Sequence, residues 1–324
     1  MRKLREHAAA TALVACAALL SSHPALADTD LAPNEWLGKM VGAVKATNYQ
    51  GTVIRTRGGR SEVLKVVHAI KDGVVHERVI VQEGNGLEII RIGNEVHCIL
   101  PDEKSVLVEE WNDQGALFST LPSSDIRFGS EYDVSIVRTE RVAGRQSVLL
   151  AVRPHDEYRF GHRLWLDIET GFPLQTKLLD DAGAAIEHVK FADIRLDENI
   201  DSQALAPSIS TENFRWFTSP KRDITYDVSS VWSSDDLPPG FRVISTHFET
   251  LAEGEEPLVH ILYSDGLANV SVFIESSGEE IRASHSRVGN SNSFSLQVEG
   301  HQVTAVGEVP AATVRRIASS MRPN

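Results

Sequence analysis

The spacing of apolar residues changes once along the chain, and that change limits the fold more than any other feature. Between Ala32 and Tyr49 it is helical. Trp36, Leu37, Met40, Val41 and Val44 recur at three- and four-residue intervals and make one apolar face, with Pro33 or Asn34 as the start. From Tyr49 onward the period is two. YQGTVIRT, EVLKVVHAI, VVHERVIVQ, LEIIRIG and EVHCIL are short alternating runs parted by KDG, EGNG and IGN. The pattern continues in YDVSIVRTERVAG, SVLLAVRP, RLWLDIETG, PLQTKLLDDAG and IEHVKFADI. Short strands with a turn signal roughly every eight to twelve residues predict an antiparallel meander. A meander with one apolar face needs a cover, and the first helix is the candidate for it.

The stretch Trp111–Ser130 breaks the strand rhythm and reads as an excursion at the rim of the sheet, or as a covered loop. From about Glu198 the pattern thins into polar sequence containing Pro207, read as a linker over 201–222. A second strand-rich block follows, 223–324. It includes the run YSDGLANVSVFIE, in which Asp265-Gly266 predicts a two-residue type I′ hairpin. It ends in PAATVRRIASSM, a helix with Pro310 in its first turn and Val314, Ile317, Ala318 and Met321 toward the core.

The N-terminus has the layout of an export signal: Arg2, Lys3 and Arg5, an apolar run, then Ala25 and Ala27 at the cleavage positions. A signal peptide over 1–27 gives a soluble exported chain from Asp28. Leu13-Val14-Ala15-Cys16 offers a competing lipoprotein cut, although the apolar run continues past Cys16. The formal charge of −13 becomes more negative once the basic leader is gone, which fits nucleic acid and anionic lipid surfaces poorly. Beyond the leader a single cysteine remains, Cys98, so no internal disulfide forms; it reads as a small buried hydrophobe that reacts with thiol reagents only after unfolding.

No catalytic motif survives inspection. His76-Glu77 opens like a zinc-protease helix, but Ile80 stands where the second histidine belongs. His155-Asp156-Glu157, with His162 close by, is the densest group that ionises near neutrality; it reads as a solvated turn against an acid–base or metal role. The other histidines are dispersed, with no pair at metal-ligand spacing on one element. The chain therefore reads as non-enzymatic, without cofactor or metal. A hydrolase with a scattered site stays open as a rival.

Several runs carry a resemblance. LPPGFRVISTHF followed by HILYSDGLANVSVFIE resembles the second domain of the MucB/RseB family. RFGHRLWLDIETGFPLQTKLLDDAG, YDVSIVRTERVAGRQ and TNYQGTVI resemble the first domain of that family, and VTAVGEVPAATVRRIASSM its C-terminal strand and helix. The resemblance implies an α+β chain. Its first domain, 28–200, would be a half-open antiparallel β-barrel like LolA and LolB, closed by helices; its second would be a smaller β-rich domain with a terminal helix. It also implies a periplasmic regulator that binds the periplasmic domain of a transmembrane anti-sigma factor of MucA or RseA type. That partner is shielded from a DegS-type protease until lipopolysaccharide or lipoprotein acyl chains release it. A plain lipoprotein carrier is the other reading, and the block after Asp223 argues against it. The resemblance assigns no residues. By pattern, Trp36, Leu37, Met40 and Val44 are candidates to line the acyl cavity, with Leu117, Phe118 and Leu121 as its rim. Trp232, Phe241 and Tyr263 are candidates for the partner interface. Ordinary core is the alternative for each, and a homo-oligomer is left open.

Overall fold

The computed structural model describes residues 31–110, 130–196, 199–218, 223–225, 231–250, 257–278 and 281–324. The leader and the rim candidates Leu117, Phe118 and Leu121 lie outside the described residues.

Helix α1 spans Pro33–Ala46. Proline at its first turn loses no helical hydrogen bond, and the Glu35 carboxylate accepts from the Ala32 amide at 2.6 Å. Eleven strands follow: β1 (Tyr49–Arg57), β2 (Arg60–Lys71), β3 (Val74–Val81), β4 (Glu88–Ile92), β5 (Glu95–Leu100), β6 (Ser105–Glu110), β7 (Tyr132–Val142), β8 (Arg145–Pro154), β9 (Gly161–Asp167), β10 (Pro173–Leu179) and β11 (Ala185–Leu196). With β12 (Arg215–Thr218) they make one sheet in the order β12-β6-β5-β4-β3-β2-β1-β11-β10-β9-β8-β7. Two meanders are thus joined where β1 pairs with β11, through an irregularity between Thr52 and Val53. The backbones come close there: a Cβ on Gly51 would lie 2.3 Å from the Asp193 carbonyl oxygen.

The predicted meander is present. Among the described residues the sheet stays open at β7 and β12, and α1 packs against it. Trp36, Leu37, Met40 and Ala43 of α1 are buried against Tyr49, Val53, Leu164, Phe172 and Phe191. Tyr49 lies at the centre, stacked on His68 at 4.9 Å and edge-on to Phe191 at 5.9 Å.

The predicted linker lies along the first sheet as far as Thr218. A short 3₁₀ turn, Ser202–Leu205, buries Leu205 with Ile200 and Ala69. Ser208 Oγ donates to Glu88 at 2.7 Å, Arg78 pairs with Glu88 at 2.5 Å, and β12 then runs parallel to β6.

The second block holds β13 (Asp223–Thr225), β14 (Trp232–Ser234), β15 (Arg242–Thr250), β16 (Leu258–Ser264), β17 (Asn269–Ser276), β18 (Ser284–Val288), β19 (Ser291–Val298), β20 (His301–Gly307), helix α2 (Ala311–Ser319) and β21 (Met321–Pro323). Seven of its strands form an antiparallel sheet, β13-β15-β16-β17-β20-β19-β18. Val314, Ile317 and Ala318 are fully buried against Ile261, Val270, Val272 and Val303, the helix face predicted from their spacing. Met321 is buried in the same core, but from β21, because α2 ends at Ser319 rather than running on to it. Pro310 is the N-cap, one residue before its predicted place.

Candidate functional site at the domain joint

The β16–β17 hairpin tip is where the two sheets meet. Ser264 and Asn269 form the last strand pair, which leaves a four-residue loop, Asp265–Ala268. Only Gly266 takes positive φ there, at 103°, so the predicted type I′ turn is not formed. The reason is the Asp265 carboxylate: Oδ1 accepts from the Leu267 amide at 2.9 Å and the Ala268 amide at 2.7 Å. An aspartate that satisfies the loop amides itself replaces the tighter turn.

The other oxygen of Asp265 reaches into the first domain. Oδ2 accepts from the Tyr132 hydroxyl and from Arg159 Nη1, each at 2.8 Å. Arg159 is completely enclosed. Its Nε donates to Asp156 at 2.9 Å, its Nη2 to the Pro239 carbonyl at 2.6 Å, and its guanidinium lies over the rings of Tyr132 and Phe241. Burial, and then the negative charge of Asp265, raises the Tyr132 pKa far above the usual phenol range, so the hydroxyl stays a donor. Leu267, next along the loop, is buried within the hydrophobic core of the first domain.

A second polar cluster bridges the joint. Arg57 of β1 pairs with Glu187 at 2.8 Å and with Glu308 at 3.4 Å, and Asn290 Nδ2 donates to Glu187 at 3.3 Å. Burial, together with the nearby Glu187 charge, raises the Glu308 pKa despite Arg57. Thr313 of α2 donates to the Tyr158 carbonyl at 2.6 Å. Between the clusters lies a cavity of about 200 Å³, with Phe160, His162 and Leu178 facing Leu267 and Glu308. Burial lowers the His162 pKa to about 4, so its imidazole is neutral there.

The predicted site residues fall as follows. Trp36, Leu37 and Met40 are at most 1 % exposed and Val44 is partly buried, all four packed in the core between α1 and the sheet. Trp232, Phe241 and Tyr263 are buried in the core of the second domain, and of the three Phe241 touches the joint. His155 Nδ1 lies 2.8 Å from the Ser130 carbonyl, and Asp156 accepts from Arg159 Nε at 2.9 Å. Cys98 is half-buried rather than enclosed, its thiol pKa raised by burial and by Glu109. The sequence reading missed one constellation: His247, Glu249 and His260 converge across β15 and β16, although none of them forms a recognisable motif.

Residues 32–209 match the MucB/RseB N-terminal domain and residues 227–322 the MucB/RseB C-terminal domain. The chain is 31 % identical over 321 residues to the sigma factor AlgU regulatory protein MucB of Pseudomonas aeruginosa, covering 94 % of this chain and 96 % of that protein. It is 25 % identical over 281 residues to the sigma-E factor regulatory protein RseB of Escherichia coli K12, covering 86 % and 87 %. The crystal structure of MucB in complex with MucA(peri) superposes with a TM-score of 0.68 at 29 % identity, over 90 % of this chain and 99 % of that one. The two domain matches in order, together with a relative 31 % identical over nearly the whole chain, make this chain a member of the MucB/RseB family.

Proposed function

We propose that the protein is a non-enzymatic periplasmic regulator. It binds the periplasmic domain of a transmembrane anti-sigma factor, shields it from site-1 proteolysis by a DegS-type protease, and so keeps an envelope-stress sigma factor inactive. The observation that carries this reading is the likeness, along both domains, to MucB in complex with MucA(peri). It is supported by the export layout of the N-terminus, with cleavage before Asp28, and by the lack, among the described residues, of any helix long and apolar enough to cross a membrane.

Release by lipopolysaccharide or lipoprotein acyl chains belongs to the same proposal, and the geometry supports a displacement mechanism for it. The joint cavity, at about 200 Å³, is smaller than the roughly 300 Å³ at which ligand pockets begin. Trp36, Leu37 and Met40 of α1 are packed against the sheet. An acyl chain therefore enters the first domain by taking the place of the apolar face of α1. Burying about twelve methylenes contributes about 10 kcal/mol. Exposing Trp36, Leu37 and Met40 costs about 5–9 kcal/mol by the same measure. The two are of one size, so the exchange is close to balanced and a lipid can drive it.

Titration of the protein with the periplasmic anti-sigma domain from the same genome, with and without lipopolysaccharide, tests this. Tight binding that lipopolysaccharide weakens is expected. No partner binding would refute the regulator, and lipid binding alone would place the chain with the carriers.

A further inference from the structure

On β15, His247 and Glu249 are two residues apart and so point to the same face. His260 of β16 stands directly opposite His247 in the antiparallel register. All three lie on the face turned away from the core residues Val259 and Ile261. His247 and Glu249 are 8 % and 4 % exposed, and His260 is half-buried, its ring stacked on Phe273 at 4.4 Å.

Three ligand atoms meet here. His247 Nε2 is 2.8 Å from Glu249 Oε1, His260 Nδ1 is 3.0 Å from the same oxygen, and the two ring nitrogens are 3.2 Å apart. A triangle with these edges holds an ion roughly 1 Å above its plane at about 2.0 Å from each corner, the length of a zinc–imidazole or zinc–carboxylate bond. Hydrogen bonding alone satisfies the group if both rings donate to Oε1, but their protons then crowd one small gap. A divalent ion takes the place of both protons, each ring shifting to the tautomer that carries its proton on the far nitrogen (His247 Nδ1, His260 Nε2), and so meets two neutral imidazoles and one carboxylate. Strand pairing fixes the backbones, and the Phe273 stack fixes one ring, so little order is lost on binding.

We propose that His247, Glu249 and His260 form a binding site for Zn²⁺ or another borderline divalent transition ion, with a fourth position left to water. Two imidazoles and one carboxylate favour this class over the all-oxygen preference of Ca²⁺ and Mg²⁺.

Calorimetric titration of the purified protein with zinc chloride tests the site. One ion per chain is expected. Loss of an outer-shell partner already weakens metal sites about 10–100-fold, so His260→Gln and Glu249→Gln are expected to weaken binding about 100-fold or more, while Cys98→Ser leaves it unchanged. Absence of saturable binding, or unchanged affinity in His260→Gln, overturns the proposal. Cobalt loading of the wild-type protein decides the question even where a variant fails to fold. An intense tetrahedral visible spectrum without a thiolate charge-transfer band supports the site; a weak octahedral spectrum or a thiolate band overturns it.

Discussion

At the residue scale the joint rests on Arg159. Its guanidinium has carboxylates at Nε and Nη1, a carbonyl at Nη2 and the rings of Tyr132 and Phe241 beside it, so removing one carboxylate leaves a buried charge short of a counter-ion. Asp265→Asn keeps an oxygen for the Leu267 and Ala268 amides and removes the charge facing Arg159. It is expected to destabilise the protein by about 3 kcal/mol in urea unfolding. Tyr132→Phe, which deletes one hydrogen bond, costs about 1–2 kcal/mol. An Asp265→Asn protein as stable as wild type would show that the pair is not what holds the tip. His162 gives a pH dependence. Its folded pKa of about 4 lies below the ordinary 6.5, so between these values the unfolded chain takes up a proton that the folded chain refuses. Its contribution is therefore present above about 6.5 and falls away as the pH drops toward 4, by about 3 kcal/mol in all. Glu308 acts in the opposite sense, because its raised pKa lets the folded chain take its proton first as the pH falls. Comparing melting temperatures at neutral and acid pH, His162→Gln is expected to lose less stability on acidification than wild type; equal losses would contradict a buried neutral imidazole.

At the element scale, α1 is held by the loop between β9 and β10. Lys39 Nζ donates to the Ile168 carbonyl at 2.9 Å, and Gly171, at φ +80°, lies so close that a Cβ there would sit 2.6 Å from Lys39 Cγ. Gly171→Ala meets both the strained backbone and this contact, and is expected to cost about 1–3 kcal/mol. Hydrogen exchange locates the effect: α1 amides are expected to exchange faster while those of β16 and β17 do not change. Uniform acceleration would mean that the loop supports the whole protein rather than the helix. Elements of this kind were legible because each is written in local spacing. Trp36, Leu37 and Met40 mark a helix face, and Val314, Ile317 and Ala318 mark another, without reference to distant residues. Asp265 was legible as a turn residue, but its partner Arg159 is 106 positions away, and no local period encodes such a contact. The same holds for His247 and His260, whose meeting depends on a strand register set by the whole sheet. The pairing of β1 with β11 was hidden for the same reason. The aromatic residues Trp232 and Tyr263 stayed open between two readings in the sequence: a large ring suits an interface or a core by type, and only the packing decides.

At the scale of the whole molecule, function depends on whether two binding events share one arrangement of the domains. The hairpin tip ties the second domain to the first through Leu267 in an apolar core and Asp265 in a buried ion pair. The helix that an acyl chain would displace packs in the same core as Leu267. A lipid that dislodges α1 thus removes part of the surface on which the tip rests, and an arrangement that favours the lipid disfavours the docked tip. If the anti-sigma domain binds the docked arrangement, the two ligands oppose each other through a single equilibrium, and the coupling is reciprocal. Saturating lipopolysaccharide is expected to weaken the anti-sigma domain by about 10-fold or more, and saturating anti-sigma domain to weaken lipopolysaccharide by that same factor. Leu267→Ala shifts the balance by removing apolar contact from the tip. It loosens the tip by about 2–4 kcal/mol, and is expected to weaken the partner and strengthen the lipid together. Calorimetric titrations in both orders, on wild type and on this variant, measure all four affinities. If Leu267→Ala weakens the partner and leaves lipid affinity as it was, the joint serves the partner alone, and lipid acts through contacts that the docking of the tip does not control.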